Sequence, residues 1–362
     1  MLQRLRLLEF RCHERLELFP VPGRNHLVGQ NGRGKTSILE AAWFLSRLRS
    51  FRSGQPRELA RWPGKGFAVE ADCVPAPGEP TEKLVVRWND GVRETLLDGN
   101  KVSLHEFWGR LPTVLLSAED AVLVRGPAAR RQAWLDALES LGAPAHLAAV
   151  QRCHAVLKQR NAWLRESAGG RRPDRQVGEV LDAQFAAAGL AVARARARAA
   201  EAAQRLAAPL LEAFFGGAAV CRFAYRPGFD PAGTEADALA LLREAAPSEQ
   251  RQGRSLAGPQ RDEWTIQWKG KPVGRFGSEG EQRLSALLLR LIEAARVREA
   301  RGRWPLFLID DALTPLDPER KLTLETLLPA DAQILQAGTV APEGGGAVWE
   351  ITPGECSLAA PA

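Results

Sequence analysis

Cysteine is scarce. The five present, Cys12, Cys73, Cys153, Cys221 and Cys356, are odd in number and far apart. That excludes a disulfide framework and any closely spaced thiolate metal knuckle, and it fits reduced thiols in a cytoplasm. No stretch approaches the roughly 20 uninterrupted apolar residues of a membrane helix, which argues against an integral helical membrane protein. The first fourteen residues are charged throughout and have no separate apolar centre, so a secretory leader is not expected and a cytoplasmic location is. Histidine is absent after His154, and no internal repeat is visible. Lysine is rare too, 8 against 41 arginines. Arginine forks bind phosphate bidentately and hold their charge, which suits a polyanionic partner; a GC-rich genome would leave the same bias.

What is there is ordinary for a globular chain: 362 residues, 45% apolar and 25% charged. Disorder is excluded as the main state, and the length admits two domains or one core with a large insertion. The net charge of +6 is unevenly spread. Residues 1–245 carry 35 basic and 27 acidic side chains, whereas residues 246–362 carry 14 and 16.

LQRLRLLEF and ERLELF alternate apolar and polar residues and predict a hairpin over the first 25 residues. A short strand from Asn25 to Val28, a glycine loop and an apolar helix from about Thr36 to Leu48 follow. Residues 67–104 return to strands with turn signals at Asn89-Asp90-Gly91 and Asp98-Gly99-Asn100, and Thr113 to Ser117 is a further buried strand. From about Gly126 the texture becomes helical. Residues 128–168 and 176–215, separated by the breaker Gly169-Gly170-Arg171-Arg172-Pro173, predict two long helices in an antiparallel arm. Strands resume beyond Pro247 with Glu263 to Trp268. Then come a long helix from about Ser278 to Arg298, the apolar strand PLFLIDD, a helix near Pro318 to Leu328, and a loosely patterned tail with one strand candidate, AVWEIT. The expected architecture is an α/β core made from both chain ends, 1–125 and 246–362, with a mostly helical lobe, 126–245, inserted between them.

Gly29-Gln30-Asn31-Gly32-Arg33-Gly34-Lys35-Thr36 matches the phosphate loop GxxxxGK[ST], after a strand and at the head of a helix. The glycines let backbone N–H groups curl around an oxyanion, and the helix amino terminus adds a favourable dipole. ATP is the expected cofactor. Lys35 would reach the β- and γ-phosphates, and the Thr36 hydroxyl would hold Mg²⁺ with Ser37 beside it. A Mg²⁺ carboxylate is then required, and Leu306 to Asp311 supplies it at the end of a buried strand. Asp310 would ligate the metal, and Asp311 would orient or deprotonate the attacking water.

Ser278-Glu279-Gly280-Glu281-Gln282-Arg283 opens the long helix. Ser278 with Glu281 reads by itself as a capping box. Its place some 30 residues before the acidic strand gives it a second reading, because the order resembles the ABC-type ATPase head. There the serine-glycine signature reads the γ-phosphate of the opposite protomer, so Ser278, Gly280 and Gln282 would act in trans, across a head-to-head dimer that ATP closes.

Taken together, the chain resembles the RecF family, bacterial DNA repair ATPases of the SMC-like branch of ABC proteins, from the first strand to about residue 335. Beyond the nucleotide motifs, several segments carry the resemblance: Arg47 to Arg52, Ser117-Ala118-Glu119-Asp120 with Leu123 to Gly126, Arg130-Arg131, Leu135-Asp136, Lys158 to Asn161, and Ala257 to Asp262. Asp310-Asp311 fits too, since the family carries a second Asp where transporters carry Glu. There are departures. Ala118 stands for Pro, Gln260 for His, and Thr314-Pro315 for Ser-Glu, and the threonine run is missing from Gln333 to Thr339.

The resemblance implies ATP-controlled binding of double-stranded DNA at gaps or single-strand/double-strand junctions, slow hydrolysis stimulated by DNA, and work with RecR and RecO in loading RecA. The charge reading is compatible. Residues 1–61 carry 12 bases and 5 acids, and residues 151–205 carry 11 and 5. Within the second region Arg194, Arg196 and Arg198 are candidate phosphate contacts, with a solvated helix face as the plain alternative. No base-reading motif is visible, so phosphate contacts with little sequence preference are expected. A transporter ATPase subunit is disfavoured by the lack of a histidine after the acidic strand and by the long helical arm. A DNA-binding adaptor with degenerate hydrolysis stays open.

Overall fold

The structure, a computed structural model, describes residues 1–76, 78–143, 145–170, 174–215, 221–310, 318–340, 345–352 and 355–359. The first stretch of chain supplies β1 (Leu2–Phe10), β2 (His13–Leu18), β3 (Arg24–Val28), α1 (Lys35–Arg47), β4 (Gly66–Cys73), β5 (Glu82–Asn89), β6 (Val92–Leu97), β7 (Asn100–Lys101), α2 (Leu104–Phe107) and β8 (Thr113–Ser117). The middle supplies α3 (Val122–Arg125), α4 (Ala128–Gly142), α5 (Ala145–Ala168), α6 (Arg175–Phe215), β9 (Cys221–Arg226), α7 (Glu235–Gln252), β10 (Glu263–Trp268), β11 (Lys271–Pro272), α8 (Val273–Phe276) and the start of α9 (Glu279–Arg301). The last stretch supplies β12 (Leu306–Asp310), α10 (Pro318–Leu327), β13 (Ile334–Gly338), β14 (Ala347–Thr352) and β15 (Glu355–Leu358). No described helix is long and apolar enough to cross a membrane.

The chain divides into two compact units. Met1–Glu119 with Glu293–Ala362 forms one, and Asp120–Ile292 the other. The first holds two six-stranded sheets, ordered β2-β1-β4-β5-β6-β7 and β15-β14-β3-β13-β12-β8. The predicted hairpin closes with Leu5 opposite Leu18 and Leu7 opposite Leu16, so the two-residue period places all four on one buried face. In the second sheet β14, β3, β13, β12 and β8 run parallel. β8 (TVLLS) and β12 (LFLID) are near-continuously apolar, as strands covered on both faces must be. β12 shows this best, with Phe307 and Leu308 fully buried. Helix α1 packs against strands of both sheets, and Ile38, Leu39, Phe44 and Leu45 enter the shared core. The strand AVWEIT is realised as β14 beside β3.

Register decides where the site lies. Val28 at the end of β3 is level with Gly338, and Asp310 at the end of β12 is level with Ala337. The carboxyl ends of β3 and β12 therefore flank β13 at one edge of the sheet, although one strand comes from each end of the chain.

The second unit is more broken than expected. The helix predicted over 128–168 is two helices, α4 and α5, because the sequence puts Pro144 after Ala143 and a residue before proline is pushed out of helical conformation. α6 spans 41 residues. Helix α7 was not foreseen. It runs through Pro247 and across the expected 245/246 boundary, started by a capping box in which Thr234 and Asp237 bond reciprocally. The compact division falls instead at Ile292/Glu293, inside α9.

Two buried ion networks hold this unit together. Arg196 is 3% exposed; it donates to both carboxylate oxygens of Asp136 at 2.8 Å, to Asp262 at 2.8 Å and to the Pro259 carbonyl. Tyr225 and the Gly228 N–H also donate to Asp262, and His146 lies 2.9 Å from Asp136. Burial alone would raise the Asp136 carboxyl, but Arg196 and His146 hold it below its ordinary value. The second network centres on Arg160, bonded to Asp182, Glu249 and Ser255, with Asn161 accepting from Ser255. Segments that carry the resemblance, Leu135-Asp136, Lys158 to Asn161 and Ala257 to Asp262, thus meet as structural clamps.

This corrects one expectation. Arg196 is not a DNA contact, because its guanidinium is consumed inside the unit. Arg194 and Arg198 stay exposed, but Arg194 donates to the Pro231 and Gly233 carbonyls and Arg198 pairs with Glu139 at 2.7 Å. Alternate residues of AlaArgAlaArgAlaArg point to different sides of α6, so they could not all reach one surface.

Truncating Arg196 takes the cation away from two carboxylates, Asp262, which is buried, and Asp136, which is largely so. The variant Arg196→Ala should lose about 3 kcal/mol of stability in urea unfolding, the usual penalty for breaking a buried pair from one side. An unchanged urea midpoint would show that the network carries no stability.

Candidate nucleotide site

The phosphate loop is shaped by backbone sterics. Gly34 sits at φ +93° as the residue before α1, and a Cβ there would collide with the His13 ring and with Cys12 Sγ. A Cβ on Gly29 would lie 2.6 Å from the Ile351 carbonyl oxygen of β14. Glycine is needed at both points for close approach, and at Gly34 for handedness as well. α1 then starts with no acidic residue in its first turn and no side-chain cap, leaving its amino-terminal N–H groups open to an anion.

Lys35 is 8% exposed, and its Nζ donates to the carbonyls of Gly29 at 2.6 Å and Gln30 at 2.9 Å. The ammonium is thereby folded back over its own loop, held by acceptors that an anionic phosphate would outcompete. Thr36 Oγ1 donates to Asp310 Oδ1 at 2.8 Å, joining the loop to the end of β12. Ser37 is buried beside it. Asp311 lies outside the described residues.

A cleft of about 520 Å³ opens over these groups, lined by Asn31, Gly32, Gly34, Lys35, Thr36 and Asp310 among others. Its donor chemistry fits Mg²⁺. A hydroxyl and a carboxylate oxygen within hydrogen-bond distance can turn to one small hard cation, which binds through one or two protein oxygens plus phosphates and water. No cluster of three or more His, Cys, Asp or Glu side chains suited to a metal occurs among the described residues. A second cavity, about 370 Å³, lies at the opposite ends of these strands beside Pro112, Trp304, Leu306 and Gln333, and holds no loop residue.

Residues at the cleft and beneath it brace the loop, and Arg11, His13 and Glu40 among them carried no sequence signal. Arg11, in the hairpin turn, makes a two-pronged ion pair with Glu40 at 2.6 and 2.8 Å, and Glu40 is fully buried on α1. Ser50 donates to the same carboxylate and Arg52 lies 3.8 Å from it, so the Arg47 to Arg52 segment is tied to α1. His13 is fully buried, with Nε2 3.2 Å from the Gly34 carbonyl oxygen, while its Nδ1 has no partner among the described residues. Burial pushes the imidazole below its ordinary value, so it is neutral at pH 7 and Nε2–H donates to Gly34. Only hairpin register brings Arg11, Cys12 and His13 against the loop.

The signature residues lie in the other compact unit. Ser278 forms the capping box: its hydroxyl and N–H contact Glu281, whose N–H donates back. Gln282 Nε2 donates to the Gly277 carbonyl at 3.1 Å. Ser278 is exposed at the start of α9, and Gly280 is half-buried one residue inside.

The family model for the RecF/RecN/SMC N terminal domain matches residues 1–341. The DNA replication and repair protein RecF of Synechococcus sp. (strain JA-3-3Ab) is 34% identical over 346 residues, covering 92% of this chain and 90% of that protein. The protein of the same description from Roseiflexus castenholzii is 34% identical over 351 residues, covering 90% and 89%. Among solved structures, the recombination mediator protein RecF-ATP in the RecFOR pathway superposes with a TM-score of 0.88 at 23% identity, covering 99% of this chain and 97% of that one. The SmcHead bound to the C-winged helix domain of ScpA matches with a TM-score of 0.57 at 14% identity, covering 99% and 96%. The fold is that of an ABC-type ATPase head with a helical insertion, as expected from the sequence.

Adding one methyl group tests the loop. Gly34→Ala should weaken nucleotide binding at least about tenfold, some 1.4 kcal/mol, read by calorimetric titration with ADP. Wild-type affinity in that variant would mean that the loop can relax around a Cβ.

Proposed function

The chain belongs to the RecF family, and from that premise we propose that it is an ATP-dependent DNA-binding protein of replication and repair, a nucleotide-gated dimer working in the cytoplasm. The observation that carries this reading is the Thr36–Asp310 hydrogen bond. It brings the phosphate loop to a strand-end carboxylate, the pairing that nucleoside triphosphate chemistry with Mg²⁺ requires.

In this reading the N–H groups at the head of α1 bind the β-phosphate, and Lys35 leaves the Gly29 and Gln30 carbonyls for the β- and γ-phosphates. Thr36 and Asp310 hold Mg²⁺, whose charge offsets that of the phosphates when bound. Asp311 serves the attacking water. Ser278, Gly280 and Gln282 meet the γ-phosphate of a second copy, so ATP closes a head-to-head dimer and hydrolysis loosens it. Ser278 then exchanges its capping bond to Glu281 for the phosphate.

DNA is held by charge along the duplex backbone, at gaps and single-strand/double-strand junctions, and RecR- and RecO-type partners join it there to assist RecA loading. With Arg196 withdrawn from the candidate surface, exposed Arg152, Lys158 and Arg165 of α5 join Arg194 and Arg198 as phosphate contacts. A second reading, an adaptor in which occupancy alone sets the state, is favoured by the Thr314-Pro315 departure, which follows the acidic pair in the sequence.

Labelled duplex, gapped and single-stranded DNA titrated with ATP, ADP or no nucleotide should show ATP-enhanced duplex binding that falls steeply with salt. Equal binding in all three states would sink the gating claim. Lys35→Ala should abolish the enhancement. Ser278→Arg should keep ATP affinity while gel filtration shows a monomer with or without ATP; a dimer at wild-type yield would remove the signature from the interface. Multiple-turnover phosphate release close to zero, with gapped DNA present, would decide for the adaptor.

A further inference from the structure

The cavity of about 370 Å³ lies in the same compact unit as the nucleotide cleft, but at the amino ends of the parallel strands. Gly23, Pro112, Leu306 and Gln333, which precede or open β3, β8, β12 and β13, meet there. Backbone bonds fix its walls. The Leu306 N–H donates to the Pro112 carbonyl and the Ile334 N–H to the Gly23 carbonyl, each at 2.9 Å. The Gln333 amide ties the same edge to the Leu2 and Val21 carbonyls. Its volume falls within the range of small-ligand pockets, about 300 to 1,000 Å³. Val74, Leu111, Trp304 and Leu306 give it apolar sides.

Arg298 and Arg303 line this cavity against one acid, Asp331. Neither arginine pairs with a carboxylate among the described residues. Arg298 donates to the Gly302 carbonyl, and Arg303 to the Val74 carbonyl at 3.1 Å and the Arg110 carbonyl at 3.5 Å. Neighbouring Arg110 holds Glu82 at 2.7 Å. A basic side chain in the last turn of α9 is ordinary, which accounts for Arg298, but Arg303 stands beyond the helix end and is half-buried. Burial holds its guanidinium below the ordinary value, outweighing Glu79 and Glu82. The Arg298 guanidinium lies 5.7 Å from the centre of the Trp304 ring, so charge and apolar wall adjoin. Guanidinium forks held by neutral carbonyls alone are open to a charge-assisted bond from an anion.

We propose that this cavity binds an apolar monocarboxylate, its carboxylate on Arg298 and Arg303 and its body against Trp304, Leu111 and Leu306. The small excess of positive charge suits one negative charge, and the apolar sides suit a ligand with little else that is polar. Fixed walls and fixed forks keep the ordering cost of binding low. The site is independent of the nucleotide reading, since it shares no residue with that cleft.

The test titrates the protein with naphthaleneacetate, with the neutral counterpart naphthaleneethanol and with plain acetate, read by ligand-observed NMR. Naphthaleneacetate should bind with a Kd of about 1 mM or tighter, and the other two at least about tenfold more weakly. Arg298→Gln and Arg303→Gln should each weaken naphthaleneacetate about tenfold and leave naphthaleneethanol within about twofold. Arg298 is exposed and bonds only the Gly302 carbonyl just past α9, so its variant reads the claim even where Arg303→Gln fails to fold. Saturating ADP with Mg²⁺ should not displace the probe. No binding of naphthaleneacetate, equal affinity for acid and alcohol, or an equal loss of both in Arg298→Gln would each overturn the proposal. So would displacement by ADP, which would put the probe in the nucleotide cleft.

Discussion

One hydrogen bond, from Thr36 to Asp310, spans 274 residues of sequence, and the head is arranged around making it possible. Thr36 is placed by a loop that must turn within a few residues of β3. Asp310 is placed by the last residue of β12. Neither strand touches the other; β13 lies between them and sets their level. A one-residue slip in either pairing would turn the carboxylate to the other face of the sheet. The parallel sheet therefore fixes the chemistry, and the apolar runs that bury it are what the chemistry depends on.

The hairpin at the start of the chain has a second role beyond extending a sheet. Its turn carries Arg11, Cys12 and His13 to the loop and cleft. Arg11 pins Glu40 on α1 and the Glu58 carbonyl, and His13 braces Gly34. A buried imidazole with one unpartnered nitrogen is costly, and its contact with the loop carbonyl offers a reason for its presence. Phosphate loop and hairpin turn thus form one braced assembly.

Arginine in this protein serves structure as much as surface. Arg160 and Arg196 are almost wholly buried, each with two carboxylate partners and further neutral ones. Such clusters tolerate no missing member, because an unpaired charge in a low-dielectric interior is expensive. Motif segments scattered from Asp136 to Asp262 meet in these clusters. Their recurrence in the sequence pattern can therefore be understood as packing of the helical unit, separately from any contact with DNA.

The phosphate loop, the acidic strand end, the hairpin and the inserted helices were legible in the sequence, because each depends on local chemistry: glycine handedness, two-residue alternation, apolar runs and helical spacing. Helix α7 is hidden in the sequence because Pro247 reads as a breaker, and the break before α5 is hidden because one proline in an alanine-rich stretch is a faint signal. The fate of Arg196 could not be read at all. An exposed and a buried arginine look the same until Asp136 and Asp262 arrive from 60 and 66 residues away. His13 and Glu40 were likewise invisible as residues that brace the site. Sequence determined which groups could bind phosphate, since that is a property of a short segment. Tertiary structure decided which charges are consumed inside and which side chains reach the cleft, since those follow from pairings between distant parts of the chain.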